Sequence, residues 1–322
     1  MITSGITQRI LFSPIVDDGA DALLILSGYA TPNMASWFMK DLCERKLGPI
    51  DIKLLVGMTP YDGLSISAHE GFKELHKNNY GHQMSRFQCG YVFDSPVHSN
   101  LYIWMRESMP IAAFTGSMNF MQNSFLSGRK ELAEICNPAE ALAYFNEIEK
   151  NSIICNYNGL EDHIVLKPKH IILDDDRIPQ TAFSGDGIEQ ITLSLLSRSG
   201  ETGAKSGLNW GQRTKRNKNQ AYIPLPHKIA KSGFFPLQTQ HFTVETDDGH
   251  TLILRVEQEN DKAITTPLSN AQLGEYFRYR LGLPNGAYVR KCDLLKYGRT
   301  DVTFYKIDGE EFYMDFSVHA EI

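Results

Sequence analysis

Along the first half of the chain, short apolar runs alternate with segments whose apolar residues recur every three or four positions. DALLILSGYA (21–30) and DIKLLVGM (51–58) read as strands, and segments 31–46 and 64–79 as the helices that follow them. Three further strand-like runs come next, MSRFQCGYVF, SNLYIWM and IAAFTG, and 131–152 gives a brief strand and a long helix. Alternation of this kind predicts a layered α/β domain. Near IILDDDRIPQTAFSGDG (171–187) the periodicity is lost, and acidic residues, a proline and glycines mark a linker. Beyond it the pattern shortens to β-type runs split by turns. DDG within HFTVETDDGHTLILRVEQ and IDGE within TDVTFYKIDGEEFYMDFSV are hairpin signals. One helix is expected around NAQLGEYFRYRLG. The predicted organisation is an α/β domain over 1–172, a linker over 173–190 and a mostly β domain over 191–322.

Composition changes this picture little. A chain of 322 residues, 42% hydrophobic, can bury two cores of ordinary size. Its net charge of −6 requires any nucleic-acid surface to be local. The five cysteines (Cys43, Cys89, Cys136, Cys155 and Cys292) are scattered without a C-x-x-C pair, as expected of reduced thiols. MITSGITQRILFSPI lacks the features of a signal peptide, and no apolar run approaches the roughly 18 residues of a membrane helix. A soluble, cytoplasmic protein without metal or cofactor is expected.

Candidate chemistry concentrates in HSNLYIWMRESMPIAAFTGSMNFMQNSF, residues 98–125. On a strand, alternate residues share a face, which would group His98, Asn100, Tyr102 and Trp104 and bury Ser99, Leu101, Ile103 and Met105 opposite. The loop TGSMNF then offers Ser117 and Asn119 just after another strand. Neutral donors beside a histidine suit a phosphate diester. A lone strand histidine, or a lone Gly-Ser-x-Asn, is usually no more than packing or a turn; their order and spacing give the pair its meaning.

This stretch resembles the phospholipase D superfamily, whose signature is His-x-Lys followed by a Gly-Ser-x-(x)-Asn loop. Residues 98–135 are most similar to its type II restriction endonucleases of the NgoFVII-like group. SGLNWGQRTKRNKNQAYIP (206–224) and YGRTDVTFYKIDGEEFYMDFS (297–317) resemble that group's C-terminal domain, a B3-like DNA-binding pseudobarrel. The resemblance implies a phospholipase D-like nuclease domain in which His98 attacks phosphorus to form a phosphohistidine. Ser117 and Asn119 would hold phosphate oxygens, and Glu131, rather than Glu134, would orient the histidine. No metal is implied. Two histidines are required, one as nucleophile and one as general acid. The chain has one such segment, so a homodimer with a single site on its two-fold axis is expected.

Asn100 departs from the pattern, because the family has a lysine there. The lost cation would stabilise charge on phosphorus; even a neutral donor at such a site is worth about 2.7–4 kcal/mol. Three readings follow: an engineered inactive variant, a natural slow or inactive homologue, or replacement in space by Lys53, Lys130 or Arg129.

A second candidate lies between Arg198 and Lys231, where eight Lys or Arg accompany one acidic residue. Within it, Asn209, Trp210, Gln212, Arg213, Lys215, Arg216, Asn217 and Lys218 form a basic, amide-rich arm. Cations meet phosphates, while Arg, Asn and Gln read base edges. Trp210 and Tyr222 bracket the arm and read as its anchors to the sheet. A solvated charge run is the plain alternative. The resemblance implies a second arm, for which KYGRTD offers Lys296 to phosphate and Arg299 and Asp301 to bases; Arg278 and Arg280 are weaker candidates. Asp174, Asp175 and Asp176 could cover a cationic cleft, although a solvated connector is the simpler reading.

The expected activity is hydrolysis of double-stranded DNA at a short specific sequence, with room for a separate ATPase or a cognate methyltransferase as partner. One rival is a sequence-specific DNA-binding protein whose nuclease site is naturally dead. Another is a lipid-cleaving phospholipase, against which stand the single motif copy and the basic arm.

Overall fold

The computed structural model describes residues 1–77, 80, 84–167, 189–237 and 239–318. The chain divides into two compact units, Met1–Asp174 and Asp175–Ile322. The expected linker lies largely outside the described residues, as does the Asp174–Asp176 cluster.

The first unit is built on a seven-stranded mixed sheet. Its strands are β1 (Ala22–Ser27), β2 (Asp51–Val56), β3 (Arg86–Val92), β4 (Leu101–Arg106), β5 (Met109–Gly116), β6 (Ala133–Ile135) and β7 (Ser152–Ile154). Across the sheet they run β6-β5-β4-β1-β2-β3-β7. β1, β2 and β3 are parallel, and the remaining neighbours pair antiparallel. Parallel neighbours need a crossover, supplied by α1 (Pro32–Glu44) and α2 (Ile66–Lys77). α1 starts where its sequence says it should: Thr31 accepts a hydrogen bond from the Met34 amide, and Pro32 occupies the first turn. α3 (Pro138–Glu149) is capped in the same way by Asn137.

Helices cover both faces of this sheet. Leu26, Leu55 and Ile103 pack with Ala141 and Phe145 of α3. On the other face Phe38 and Tyr102 meet Phe120, while Phe72 of α2 meets Tyr91. β4 is therefore buried on both sides, which corrects the expectation that its Asn100–Tyr102–Trp104 face is the polar one. Tyr102 and Trp104 are fully buried, each with its polar atom on a backbone carbonyl, of Met118 and Ile10 respectively.

The second unit is mostly β, with seven strands in one curled sheet. They are β8 (Gln190–Ser194), β9 (Ile223–Pro224), β10 (His241–Thr246), β11 (Thr251–Glu257), β12 (Ala263–Thr265), β13 (Asp301–Lys306) and β14 (Glu311–Asp315). The order is β8-β13-β14-β10-β11-β12-β9, with β10 and β14 parallel and every other pair antiparallel. The edge strands β8 and β9 come within contact, so the sheet is a nearly closed barrel. Phe235, Phe242, Phe304 and Phe312 fill it. The two hairpins lie where DDG and IDGE predict turns, and α4 (Asn270–Arg280) where one helix was expected; α5 (Lys291–Tyr297) was not foreseen.

Candidate active site and nucleic-acid interface

The carboxyl ends of β1 and β2 are each followed by a glycine, Gly28 and Gly57, against which the 93–100 segment docks. The Val97 amide donates to the Gly57 carbonyl at 2.9 Å. A Cβ at Gly57 would stand 2.0 Å from the Val97 carbonyl oxygen, and one at Gly28 would stand 2.9 Å from His98 Cδ2. Bare backbone at both positions thus admits the histidine-bearing segment. His98 itself precedes β4 rather than lying on a strand, and it is exposed. The strand assignment is thereby corrected: His98 and Asn100 do not share a strand face.

His98 has two close neighbours besides Gly28. The Tyr29 ring meets the imidazole edge-on, with centroids 5.7 Å apart. Tyr29 Oη donates to Asp62 Oδ2 at 2.5 Å, and this bond, followed by burial, raises the phenol's pKa. The hypothetical Gly28 Cβ lies 3.5 Å from Asn119 Oδ1, so Asn119 also converges on this point. That Oδ1 accepts the Tyr29 amide at 3.1 Å, which leaves the Asn119 side-chain amide as the free donor of the group.

Asn100 lies beneath, 5% exposed, and its amide is fully bonded. Oδ1 accepts from Ser27 Oγ (3.0 Å) and from the Gly28 amide (3.2 Å). Nδ2 donates to the carbonyls of Gly116 and Ser117, both at 3.3 Å. Asn100 thus ties the end of β1 to the loop carrying Ser117 and Asn119. Ser117 is exposed, donates to Glu131 Oε2 and accepts the Leu132 amide. The buried Glu131 has Arg129 Nε 3.6 Å from its other oxygen. Glu131 therefore meets Ser117 and Arg129 rather than His98. Lys53 is paired with Glu149 of α3, and Lys130 is exposed. Among the described residues no cluster of three His, Cys, Asp or Glu side chains could hold a metal ion.

In the second unit the arm divides into a buried base and an exposed tip. Asn209 is fully buried, exchanging two hydrogen bonds with the Val289 backbone, so it is a tie and not a base reader. Gln212 is half-committed, donating to the carbonyls of Lys218 and Gly286. Residues 213–218, carrying Arg213, Lys215, Arg216, Asn217 and Lys218, are all exposed. The Arg216 guanidinium lies 4.2 Å from the Trp210 ring centroid, and Trp210 meets Tyr222 edge-on, as an anchor would.

Arg278, one of the weaker candidates for DNA contact, is fully buried. Its guanidinium donates to five carbonyls, those of Leu208, Lys218, Asn219, Gly274 and Ala287, at 2.8–3.4 Å. Burial lowers its pKa, opposed by Glu275. Arg280 is likewise internal, paired with Asp247 at 2.6 Å. In the KYGRTD segment only Lys296 is fully exposed among the three predicted contacts that matter there. Arg299 is held by Asp301 (3.0 Å), Asp315 (2.7 Å), the Thr303 hydroxyl (2.7 Å) and the Ser317 carbonyl (3.1 Å). Its fork is spent within the domain, which argues against Arg299 and its partner Asp301 as free base readers.

Residues 4–162 match the NgoFVII restriction endonuclease N-terminal PLD domain, and residues 183–308 match the NgoFVII C-terminal B3-like DNA-binding domain. The chain belongs to the NgoFVII restriction endonuclease family. It carries a phospholipase D-like nuclease domain and a B3-like domain whose partner is DNA. No curated protein matches the chain. Among solved structures, NucT from Helicobacter pylori is similar at 12% identity and a TM-score of 0.31, covering 48% of this chain and 96% of its own. A polyphosphate kinase from Porphyromonas gingivalis gives 14% identity and a TM-score of 0.28, covering 50% of this chain and 24% of its own. Among the described residues no helix is long and apolar enough to cross a membrane.

Sequence reasoning missed Ser27, Gly28 and Tyr29, which the family member places under and beside His98. Their only signal is a strand ending in Ser-Gly-Tyr, legible once the His98 segment is known to land there.

Proposed function

We propose that this chain is built as a type II restriction endonuclease that cuts double-stranded DNA at a short specific sequence, and that Asn100 disables or impairs the present form. The observation that carries this reading is the convergence of His98 and Asn119 on Gly28, above an Asn100 amide whose hydrogen bonds are all spent. His98 would attack phosphorus, forming an N–P bond as the P–O bond to the leaving strand breaks. His98 of the partner subunit, across a two-fold axis, would protonate the departing oxygen; water would then cleave the phosphohistidine. Asn119 and Ser117 are suited to hold non-bridging oxygens. Glu131, bonded to Ser117, would steady that hydroxyl here and orient histidine only if the assembled dimer brings the two together. No metal is needed for these steps.

The dissociated charge problem remains at position 100. Asn100 is neutral and turned into the fold, so nothing at that position offsets the charge gained by the phosphoryl oxygens. A sequence-specific DNA-binding protein with a naturally dead nuclease site is therefore the second reading, favoured by how completely Ser27, Gly28 and the 116–117 carbonyls accommodate an amide.

Asn100→Lys and the unmodified chain, incubated with plasmid and phage DNA in EDTA, separate these readings. Discrete fragments from the lysine form alone are expected. Fragments from neither form, with sequence-specific binding retained by both, would establish the DNA-binding reading instead. Sedimentation tests the shared site: a strict monomer that cuts at full rate would exclude it.

A further inference from the structure

The exposed arm tip is laced to a second segment, residues 283–290, by side chains from several places in the domain. Asn209 exchanges hydrogen bonds of 2.7 and 2.8 Å with the Val289 backbone. Gln212 donates to the Gly286 carbonyl at 3.1 Å, and the Gly286 amide donates to Asn219 Oδ1 at 2.5 Å. Arg278 bonds the Ala287 carbonyl on one side and the Lys218 carbonyl on the other. Gly286 has φ +77°, and a Cβ there would lie 3.2 Å from Lys218 Cβ, so this turn abuts the last cation of the tip. The inward bonds take residues 286, 287 and 289. They leave Asn285, Tyr288 and Arg290 exposed next to a strongly basic loop.

We propose that Asn285, Tyr288 and Arg290 form a second DNA-contacting element, continuous with the 213–218 tip and held in fixed register to it. The proposal rests on the reading of this domain as a DNA binder. Arg290 suits a phosphate, as an exposed cation next to Val289, whose backbone is tied to Asn209 at the base of the arm. Asn285, at the apex of a turn, presents an amide able to pair with adenine N6 and N7. Tyr288, 38% exposed, offers an amphipathic ring with few rotamers to lose on binding. Because the spacing of the two segments is set by buried hydrogen bonds, the surface is formed before DNA arrives.

The test uses the full chain and a duplex pool with a randomised centre. The pool is enriched separately by the unmodified protein, by N285A/Y288A/R290A and by K215A/R216A; affinity for the enriched pool is then measured across a salt series. All altered side chains are exposed, and circular dichroism checks the folds. The 285/288/290 variant should bind about tenfold or more weakly, enrich a motif relaxed at one or more positions, and show a salt slope smaller by about one. Wild-type affinity, slope and motif in that variant, with binding lost in K215A/R216A, would overturn the proposal while leaving the DNA-binding reading intact. Failure of the unmodified protein to bind or enrich any duplex would instead overturn the DNA-binding reading, and this proposal with it.

Discussion

Ser27 and Asn100 are joined by a 3.0 Å hydrogen bond from the hydroxyl to Asn100 Oδ1, both side chains buried where β1 ends and β4 begins. The same hydroxyl accepts the Phe120 amide at 2.9 Å, so the bond couples two strands to the loop that carries Asn119. A position at which the family pattern has a cation is occupied here by a neutral hinge pin. That geometry makes Asn100 more than a missing charge, because the surrounding donors are arranged for an acceptor.

Asn100→Lys should therefore disturb the site even as it restores the expected charge. An ammonium group donates only, so it can serve the Gly116 and Ser117 carbonyls but cannot accept from the Gly28 amide, while the single Ser27 hydroxyl proton can still go to the Tyr29 carbonyl, 2.7 Å from its oxygen. Leaving a buried donor unmet costs about 1–3 kcal/mol. Faster hydrogen exchange at the Gly28 and Phe120 amides is expected in the lysine form. Unchanged exchange at both would mean that lysine fits without breaking the network.

Gly28 should tolerate no side chain without moving His98. The Cβ of Gly28→Ala would lie 2.9 Å from the imidazole Cδ2 and 3.3 Å from the His98 Cα, inside ordinary contact. A displacement of about 1 Å in a reacting group can cost on the order of 10²-fold in rate. In an Asn100→Lys background that cuts DNA, adding Gly28→Ala should lower cleavage by about that factor while DNA affinity holds. Equal cleavage with and without the methyl would show that His98 does not act from this position.

The fold was largely legible because its signals are local and repeated. Apolar spacing over 31–46 and 131–152 announces helices, and the turns at Gly249 and Gly309 announce hairpins. His98, Ser117 and Asn119 were also legible, through order and spacing. What escaped was the third dimension. Asn209 and Arg278 look like members of a basic surface in sequence, but both are turned inward to satisfy backbone groups of an irregular loop. Arg299 fails as a free reader for a related reason, since Asp315, distant in sequence, claims one side of its guanidinium. Charge and amide content reveal which segment is polar; only the folded register separates the residues that meet solvent from those that hold the loop together.

The nuclease unit should lose stability as pH falls below about 6.5, in part through His69. This histidine is on the buried face of α2, with Nδ1 3.1 Å from Tyr91 Oη. Burial lowers its pKa below that of a free imidazole, with Glu70 opposing and Lys73 assisting. The unfolded chain consequently binds a proton more readily than the folded one. The stabilising difference is present in full above the unfolded value and is lost as pH falls towards the folded one. Thermal unfolding of the full chain between pH 7.5 and 5, compared with His69→Gln, should show a shallower decline in the variant for the nuclease transition. Parallel declines would assign the slope to other groups, such as His76, whose pKa burial also lowers.

Arg278 should govern DNA binding without touching DNA. Five carbonyls converge on its guanidinium, and three of them, from Leu208, Lys218 and Asn219, belong to the arm or its base. Lysine offers three donors from one point and cannot reach all five; methionine offers none. Removing a buried charged donor that holds such a set costs several kcal/mol, mostly as unmet carbonyls. Much of that cost can be escaped locally if the arm swings out to water, which makes a loosened arm the expected outcome rather than a collapsed barrel. Arg278→Lys and Arg278→Met should then show progressively faster tryptic cleavage within 213–218 and progressively weaker DNA affinity, with β-sheet circular dichroism retained. Added salt should not account for the loss, since no phosphate contact has been removed. An Arg278→Met protein that resists trypsin and binds DNA like the parent would show that the arm holds its shape by other means.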